Sequence, residues 1–270
     1  MPQRRSLFQS LTCAVSVNFA CIFTKWLHSS FSIIVKHRFL LDCAALAESG
    51  NTMSIREERK QQSRQAIMDA VLQLSSAGRA FSSISLREIS RQIGLVPTAF
   101  YRHFQDMDEL GLDLVDQVAL HIKGILYQLG QAYLYQPDAQ TETALTLFFK
   151  SVDQRPQQWI FLIAERWGGS TILRQAIARE IDFLIEDLAN ELQRVESVQH
   201  FQHAEDLHIL ANILINLSLN WAMSWIGLER QFEAEKLPEQ QQRFIQQTIT
   251  QVHLLFRGIS HWQRPQPVAD

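Results

Sequence analysis

The chain has 270 residues, of which 46% are hydrophobic, with only 10 Gly and 7 Pro. Such a composition excludes a disordered chain, speaks against an all-β fold rich in tight turns, and suffices for one large or two modest domains. The formal charge of −3 is unevenly spread: 5 Lys+Arg against 2 Asp+Glu before Met53, 8 against 4 over 53–105, and 12 against 22 beyond. A basic stretch of about fifty residues on an acidic body points towards a polyanion; the alternative is a chance excess of charge. The three Cys, at 13, 21 and 43, offer little basis for a disulfide framework, and no Cys follows Met53.

Residues 1–52 are unlike the rest. Arg4 and Arg5 precede an apolar run from Leu11 to Phe23, ended by Lys25. The run is too short to span a bilayer. It has the length of the apolar part of a signal peptide, and "CAALA" at 43–47 offers small residues for cleavage, but Lys36, His37 and Arg38 stand between the two. The plainer expectation is that translation starts at Met53 and that 1–52 is a non-native or disordered extension. A membrane or secretion segment is the alternative.

From Glu57 to Ser76, Ala66, Ile67, Ala70, Val71 and Leu74 form the stripe of an amphipathic helix, whose early turns carry Arg56, Arg59, Lys60 and Arg64. Gly78 is its stop signal. In "SLREISRQIG", Ser85 and Glu88 have the spacing of a capping box, and Leu86, Ile89 and Ile93 share a face. Gly94 ends this second helix, and Pro97 opens a third after a turn short enough to make a helix-turn-helix. On the third helix Phe100 and Phe104 share one side and can pack on Ile89 and Ile93. Thr98, Tyr101 and Arg102 take the opposite side, with His103 on the flank. Hydroxyl, guanidinium and imidazole groups suit phosphates and base edges. The alternative is an ordinary surface helix with a polar side.

After Asp106 the pattern is helical almost throughout. Leu110, Leu114, Val118, Ile122 and Ile125 make one long stripe, "GQAYLYQPDAQT" reads as a loop, and further stripes run through 141–152, 157–166, 171–194, 205–228 and 238–262. No strand-like alternation occurs, so the expected fold is an all-α bundle. Phe148, Phe149, Trp159, Phe161, Trp167, Phe183, Trp221 and Trp225 either line an apolar cavity or are plain core. "ERWGGSTILR" breaks the helical run with two glycines between Arg166 and Arg174: either a mobile loop gripping an anionic head group, or a simple turn with surface arginines. The stretch 209–228 carries no charge, but Asn212, Asn216 and Asn220 recur every four residues, which favours a buried helix or dimer seam over lipid. His200, His203 and His208 lie in a polar stretch and make a weak case for metal, so none is expected. Nothing marks a catalytic centre: Asp153 and Glu165 lack an acid–base partner pattern, no phosphate-binding Gly-rich loop or Gly-x-Ser-x-Gly occurs, and no enzyme is expected.

Gly94, Tyr101, Arg102, His103, Phe104 and the following "DMDEL" resemble the TetR family of transcriptional regulators. The resemblance implies that Tyr101 and His103 contact DNA phosphates and that Pro97 and Thr98, opening the recognition helix, read bases. Ser85 and Arg87 match the family's capping Ser and following basic residue, and Arg56, Arg59, Lys60 and Arg102 complete the candidate DNA-binding set. Ala99 departs from the Thr common there, and Met107 from a common phosphate-gripping Lys. "FSSISLREISRQIGLVPTAFYRHFQDMDELGLDLVDQ" and "AERWGGSTILRQAIAREIDFLIEDLANEL" resemble, within the family, the FabR/DesT type that represses unsaturated fatty-acid synthesis; the likeness spans about residues 55–262.

That resemblance implies an N-terminal three-helix helix-turn-helix DNA-binding domain at 53–105. A helical ligand-binding and dimerisation bundle follows at 106–264, and a tail at 265–270. It implies a cytoplasmic homodimer, paired through its last two helices, on a pseudo-palindromic DNA operator, with no stable membrane partner. No cofactor is implied. The effector is a long-chain acyl-CoA or acyl-carrier-protein thioester, with an unsaturated chain strengthening DNA binding. Its candidate site is Phe148, Phe149, Trp159, Arg166, Trp167, Arg174, Phe183, Trp221 and Trp225. A sensor of a drug or other apolar metabolite, and a membrane-tethered helical interaction protein using 1–52, are the alternatives.

Overall fold

Two left-handed glycines shape the N-terminal part of the structure, Gly78 at φ +90° and Gly94 at φ +68°, a region where L side chains are strained. Each lies just past the end of a helix. The computed structural model describes residues 55–135, 141–194, 198, 201 and 203–263, with backbone alone for 55 and 131–135. Residues 1–52 and the tail from 264 therefore lie outside the described part. The chain divides between Glu58 and Arg59 into two units. Of the described residues, only the first turn of the first helix belongs to the N-terminal unit; the helix-turn-helix and the body belong to the other.

Helix α1 (Ile55–Ser76) buries Ile67, Met68, Ala70, Val71 and Leu72. A 3-10 turn (Phe81–Ser83) leads to α2 (Leu86–Gln92), and a four-residue turn to α3 (Pro97–Phe100). Ser85 caps α2 by accepting from the Glu88 N–H at 3.3 Å. The expected reciprocal half of that box is absent, because the Glu88 carboxylate accepts from Arg79 at 2.9 Å instead. A two-way cap does occur one element later, where Asp106 Oδ1 accepts from the Glu109 N–H (2.8 Å) and Glu109 Oε2 from the Gln105 N–H (2.5 Å).

That cap starts α4 (Met107–Tyr135), which runs through part of the stretch expected as a loop. Apolar spacing then yields α5 (Thr141–Gln154), α6 (Pro156–Glu165), α7 (Thr171–Leu192), α8 (Ala204–Gln231) and α9 (Leu237–Ser260). No strand occurs among the described residues, and the fold is all-α. Helix α8 is the centre of the body, packed against α5, α6, α7 and α9. It is long and apolar enough to cross a membrane by length and composition, yet half of its apolar window is buried in the fold. Its indoles cross-link the bundle: Trp221 Nε1–H donates to Gln251 on α9 and Trp225 Nε1–H to Asp153 on α5, both at 2.7 Å.

Candidate nucleic-acid interface and effector body

The helix-turn-helix is held by its apolar side. Ile89, Phe100 and Phe104 are buried, and the two Phe rings lie 5.6 Å apart. Only Pro97–Phe100 is α-helical, one turn, so the expected recognition helix is shorter than the pattern suggested and its axial dipole correspondingly small. What remains is a rigid corner. Tyr101 stands edge-on to Phe100 at 5.6 Å, yet is 64% exposed. Pro97, Thr98 and Arg102 are exposed beside it. Arg87 on α2 and Arg59 and Lys60 on α1 are exposed as well, and so is Arg56 in the first turn of α1. Ser85 is exposed too, but its hydroxyl is spent on the α2 cap.

His103 is half-buried, and its Nδ1 is enclosed with no hydrogen-bond partner among the described residues. Burial first, then the positive charges of Lys60, Arg64 and Arg102, hold its imidazole below the ordinary value. Lys60 of α1 and Arg102 of the corner thus lie close enough to His103 for their charges to act on it. Arg64 sits differently from its neighbours: it pairs with Asp113 of α4 and lies 4.8 Å over the Phe104 ring, bracing the corner. Sequence reasoning missed this brace, and also the Arg230 to Ser76 carbonyl bond at 3.1 Å that ties the end of α8 to the end of α1. No local signal marks either one, since the partners are 49 and 154 residues apart.

In the body, four of the candidate aromatics come together and a fifth, Trp221, is buried one turn earlier on α8 than Trp225. Phe149 stacks on Trp225 at 4.4 Å and 15°, and Phe148 meets Phe149 at 5.2 Å and Trp159 at 5.7 Å. These rings pack against one another. A cavity of about 70 Å³ touches only one of them, Phe148, and is otherwise bounded by Ile125, Gln128, Leu129, Ala144, Leu147 and Ser151 between α4 and α5. Trp167 is 80% exposed and Phe183 36%, so neither joins this interior. Both lie where their helix or turn faces outwards: Trp167 carries Arg166 over its ring at 5.4 Å, and Phe183 carries Lys123 at 5.7 Å.

The two arginines beside the glycines are occupied internally. Arg166 Nη1 donates to Asn216 Oδ1 (2.8 Å), and Arg174 donates to the Gly168 carbonyl (2.6 Å) and Thr171 Oγ1 (2.9 Å). Here the turn is a braced helix–helix connection. His203 and His208 are exposed and His200 lies outside the described residues; among the latter no group of three or more His, Cys, Asp or Glu is placed to hold a metal.

With that geometry in place, the body can be compared with known domains. Residues 137–248 match the family of tetracyclin repressor-like C-terminal domains. The match takes in α5 to α8 and half of α9. Among solved structures, a TetR-family transcriptional regulator from Syntrophomonas wolfei str. Goettingen is 17% identical, with a TM-score of 0.50 over 77% of this chain and 99% of that one. FadR from Bacillus subtilis in complex with stearoyl-CoA is 12% identical, with a TM-score of 0.49 over 74% and 99%. Reduced NemR from E. coli is 15% identical, with a TM-score of 0.47 over 71% and 96%. At 17% identity the first of these likenesses is one of fold. The tetracyclin repressor-like body thus carries, on its N-terminal side, the helix-turn-helix with its exposed corner.

Proposed function

We propose that the protein is a TetR-type DNA-binding transcriptional repressor, a cytoplasmic homodimer that controls unsaturated fatty-acid synthesis genes in response to long-chain acyl thioesters. One observation carries the DNA reading: Tyr101, Thr98 and Arg102 stand exposed on a corner locked by Phe100 and Phe104, beside the basic turns of α1, on a tetracyclin repressor-like body. Pairing through α8 and α9 is supported by Ile209, Ile213 and Leu254, which are 50%, 47% and 66% exposed on those two helices. A two-fold dimer presents two corners about one helical turn of DNA apart and reads a pseudo-palindrome.

The acyl reading rests on the sequence resemblance to repressors of unsaturated fatty-acid synthesis. The hollow between α4 and α5, about 70 Å³, is far below the several hundred Å³ of a typical ligand site and does not by itself hold an acyl chain. The small cavity favours a second reading, a sensor of a compact apolar metabolite or drug.

The test is fluorescence anisotropy of the full chain on the palindrome upstream of an unsaturated-chain synthesis gene, at fixed salt, with and without oleoyl and palmitoyl thioesters. Binding that oleoyl strengthens and palmitoyl does not supports the acyl sensor. Binding indifferent to both leaves the repressor and discards that effector. Failure on palindromes recovered by selection from the whole genome discards the DNA reading.

A further inference from the structure

Glu165, at the end of α6, has no role in the proposed function, yet at 2% exposed it is the most deeply buried charged residue among those described. Its Oε1 accepts a hydrogen bond from the backbone N–H of Phe81 at 2.7 Å. Phe81 opens the 3-10 turn between α1 and α2, so this bond joins the body to the entrance of the helix-turn-helix. Its Oε2 is buried and accepts nothing from the described residues.

The packing around the bond leaves no slack. A Cβ added at Gly168 would overlap Glu165 Oε2, and one at Gly169 would lie 2.5 Å from Ser82 Oγ. On the other side, a Cβ at Gly111 of α4 would lie 2.8 Å from Phe81 Cζ and 2.7 Å from Leu173 Cδ1. The Phe81 ring also meets Phe161 of α6 edge to face at 6.4 Å. Phe81, at the entrance of the candidate DNA-reading part, is thus gripped by backbone and by ring from α4 and α6, while its neighbour Ser82 lies against the Gly168–Gly169 turn.

A carboxylate buried with one donor is a poor source of stability, because an apolar side chain of similar size often serves the fold as well. A leucine, however, cannot hold the Phe81 N–H at a set distance from the turn. The geometry points to Glu165 as a positioning residue that transmits the place of the Gly168–Gly169 turn to the helix-turn-helix through the Phe81 amide. The two glycines put turn backbone directly against Glu165 Oε2 and Ser82, with no side chain between to absorb a shift. Arg174 holds the Gly168 carbonyl, so movement of α7 moves the turn. The regulatory purpose rests on the proposed DNA binding; the mechanical coupling does not.

The test is amide hydrogen exchange on the full chain, comparing the peptide covering 79–85 with control peptides from α8. Glu165→Gln, which keeps an acceptor for the Phe81 N–H, is expected to leave exchange in 79–85 within about twofold of wild type. Glu165→Leu is expected to raise it about tenfold with α8 unchanged. Gly168→Ala, which pushes on Oε2, is expected to raise it as well, and to add less than about twofold in the Glu165→Leu background. Unchanged exchange in Glu165→Leu, an equal rise in α8, or independent multiplication of the two effects overturns the coupling. If Gly168→Ala does not fold, the Gln–Leu contrast decides alone. Duplex anisotropy on the same variants separates the two ideas: no DNA binding by any variant, wild type included, counts against the repressor, while exchange alone judges the coupling.

Discussion

Lys123 of α4 holds Glu180 of α7 at 2.7 Å, with only 11% and 13% of the two side chains exposed. The pair joins two long helices of the body, in a place too dry to tolerate a lone charge. Lys123→Met is expected to destabilise by about 3 kcal/mol, because Glu180 is left without its partner. The double variant Lys123→Met/Glu180→Leu is expected to recover most of that loss. Urea unfolding of the three variants checks it, and a double variant as weak as the single would contradict the account.

Asp187, farther along α7, is held near pKa 6 by burial, with Glu186 and Glu191 adding to the rise and Lys123 opposing it. Its folded-state value exceeds that of the unfolded chain. Its contribution to stability is therefore full below about pH 4 and is lost as pH rises through 6. Asp187→Asn is expected to stabilise the protein at pH 7 by about 1 kcal/mol, the shift being discounted for partial exposure. The gain should vanish at pH 4. Thermal melts at the two pH values are the measurement.

Phe149 is buried against Trp225, Phe148 and Phe244. Phe149→Ala is expected to cost about 3–5 kcal/mol, the range for deleting a buried aromatic ring. An unfolding midpoint within a degree of wild type would mean that the aromatic cluster is not a packed core.

On the corner, Tyr101→Phe keeps the ring that stands against Phe100 and Arg102→Ala removes an exposed side chain, so folding stability should move by less than about 0.5 kcal/mol. Duplex affinity should fall, and the slope of log affinity against log salt should shrink by about one for Arg102→Ala if it meets a phosphate. An unchanged affinity with both substitutions would remove this corner from the interface.

The proposed pairing is tested at Ile213, whose exposed side chain on α8 should be covered in such a dimer. Ile213→Glu is expected to convert the dimer to monomer in sedimentation and to weaken palindrome binding, since one corner alone loses the second half-site. A wild-type sedimentation profile would place the seam elsewhere.

The helices themselves were legible because their signals lie within a few residues of one another. The apolar stripe of Ile67, Ala70 and Val71, the Ser85 cap, Gly94 at positive φ, Pro97 at the first helical position and the body helices within a few residues of their ends all follow from local chemistry. So did the exposed side of the third helix, since Phe100 and Phe104 had to face inwards. What the chain's periodicity does not contain is the choice of partners across the fold. Glu88 turns to Arg79 rather than closing its own cap, and Arg64 goes to Asp113 instead of joining the surface basic set. Trp167, just past the end of α6, faces water while Trp159 within α6 is fully buried. Glu165, without any partner pattern in its own neighbourhood, meets an amide 84 residues away. Helix formation is governed by hydrogen bonds four residues apart, whereas burial, ion pairing and contact with the helix-turn-helix depend on which surfaces meet when the bundle closes.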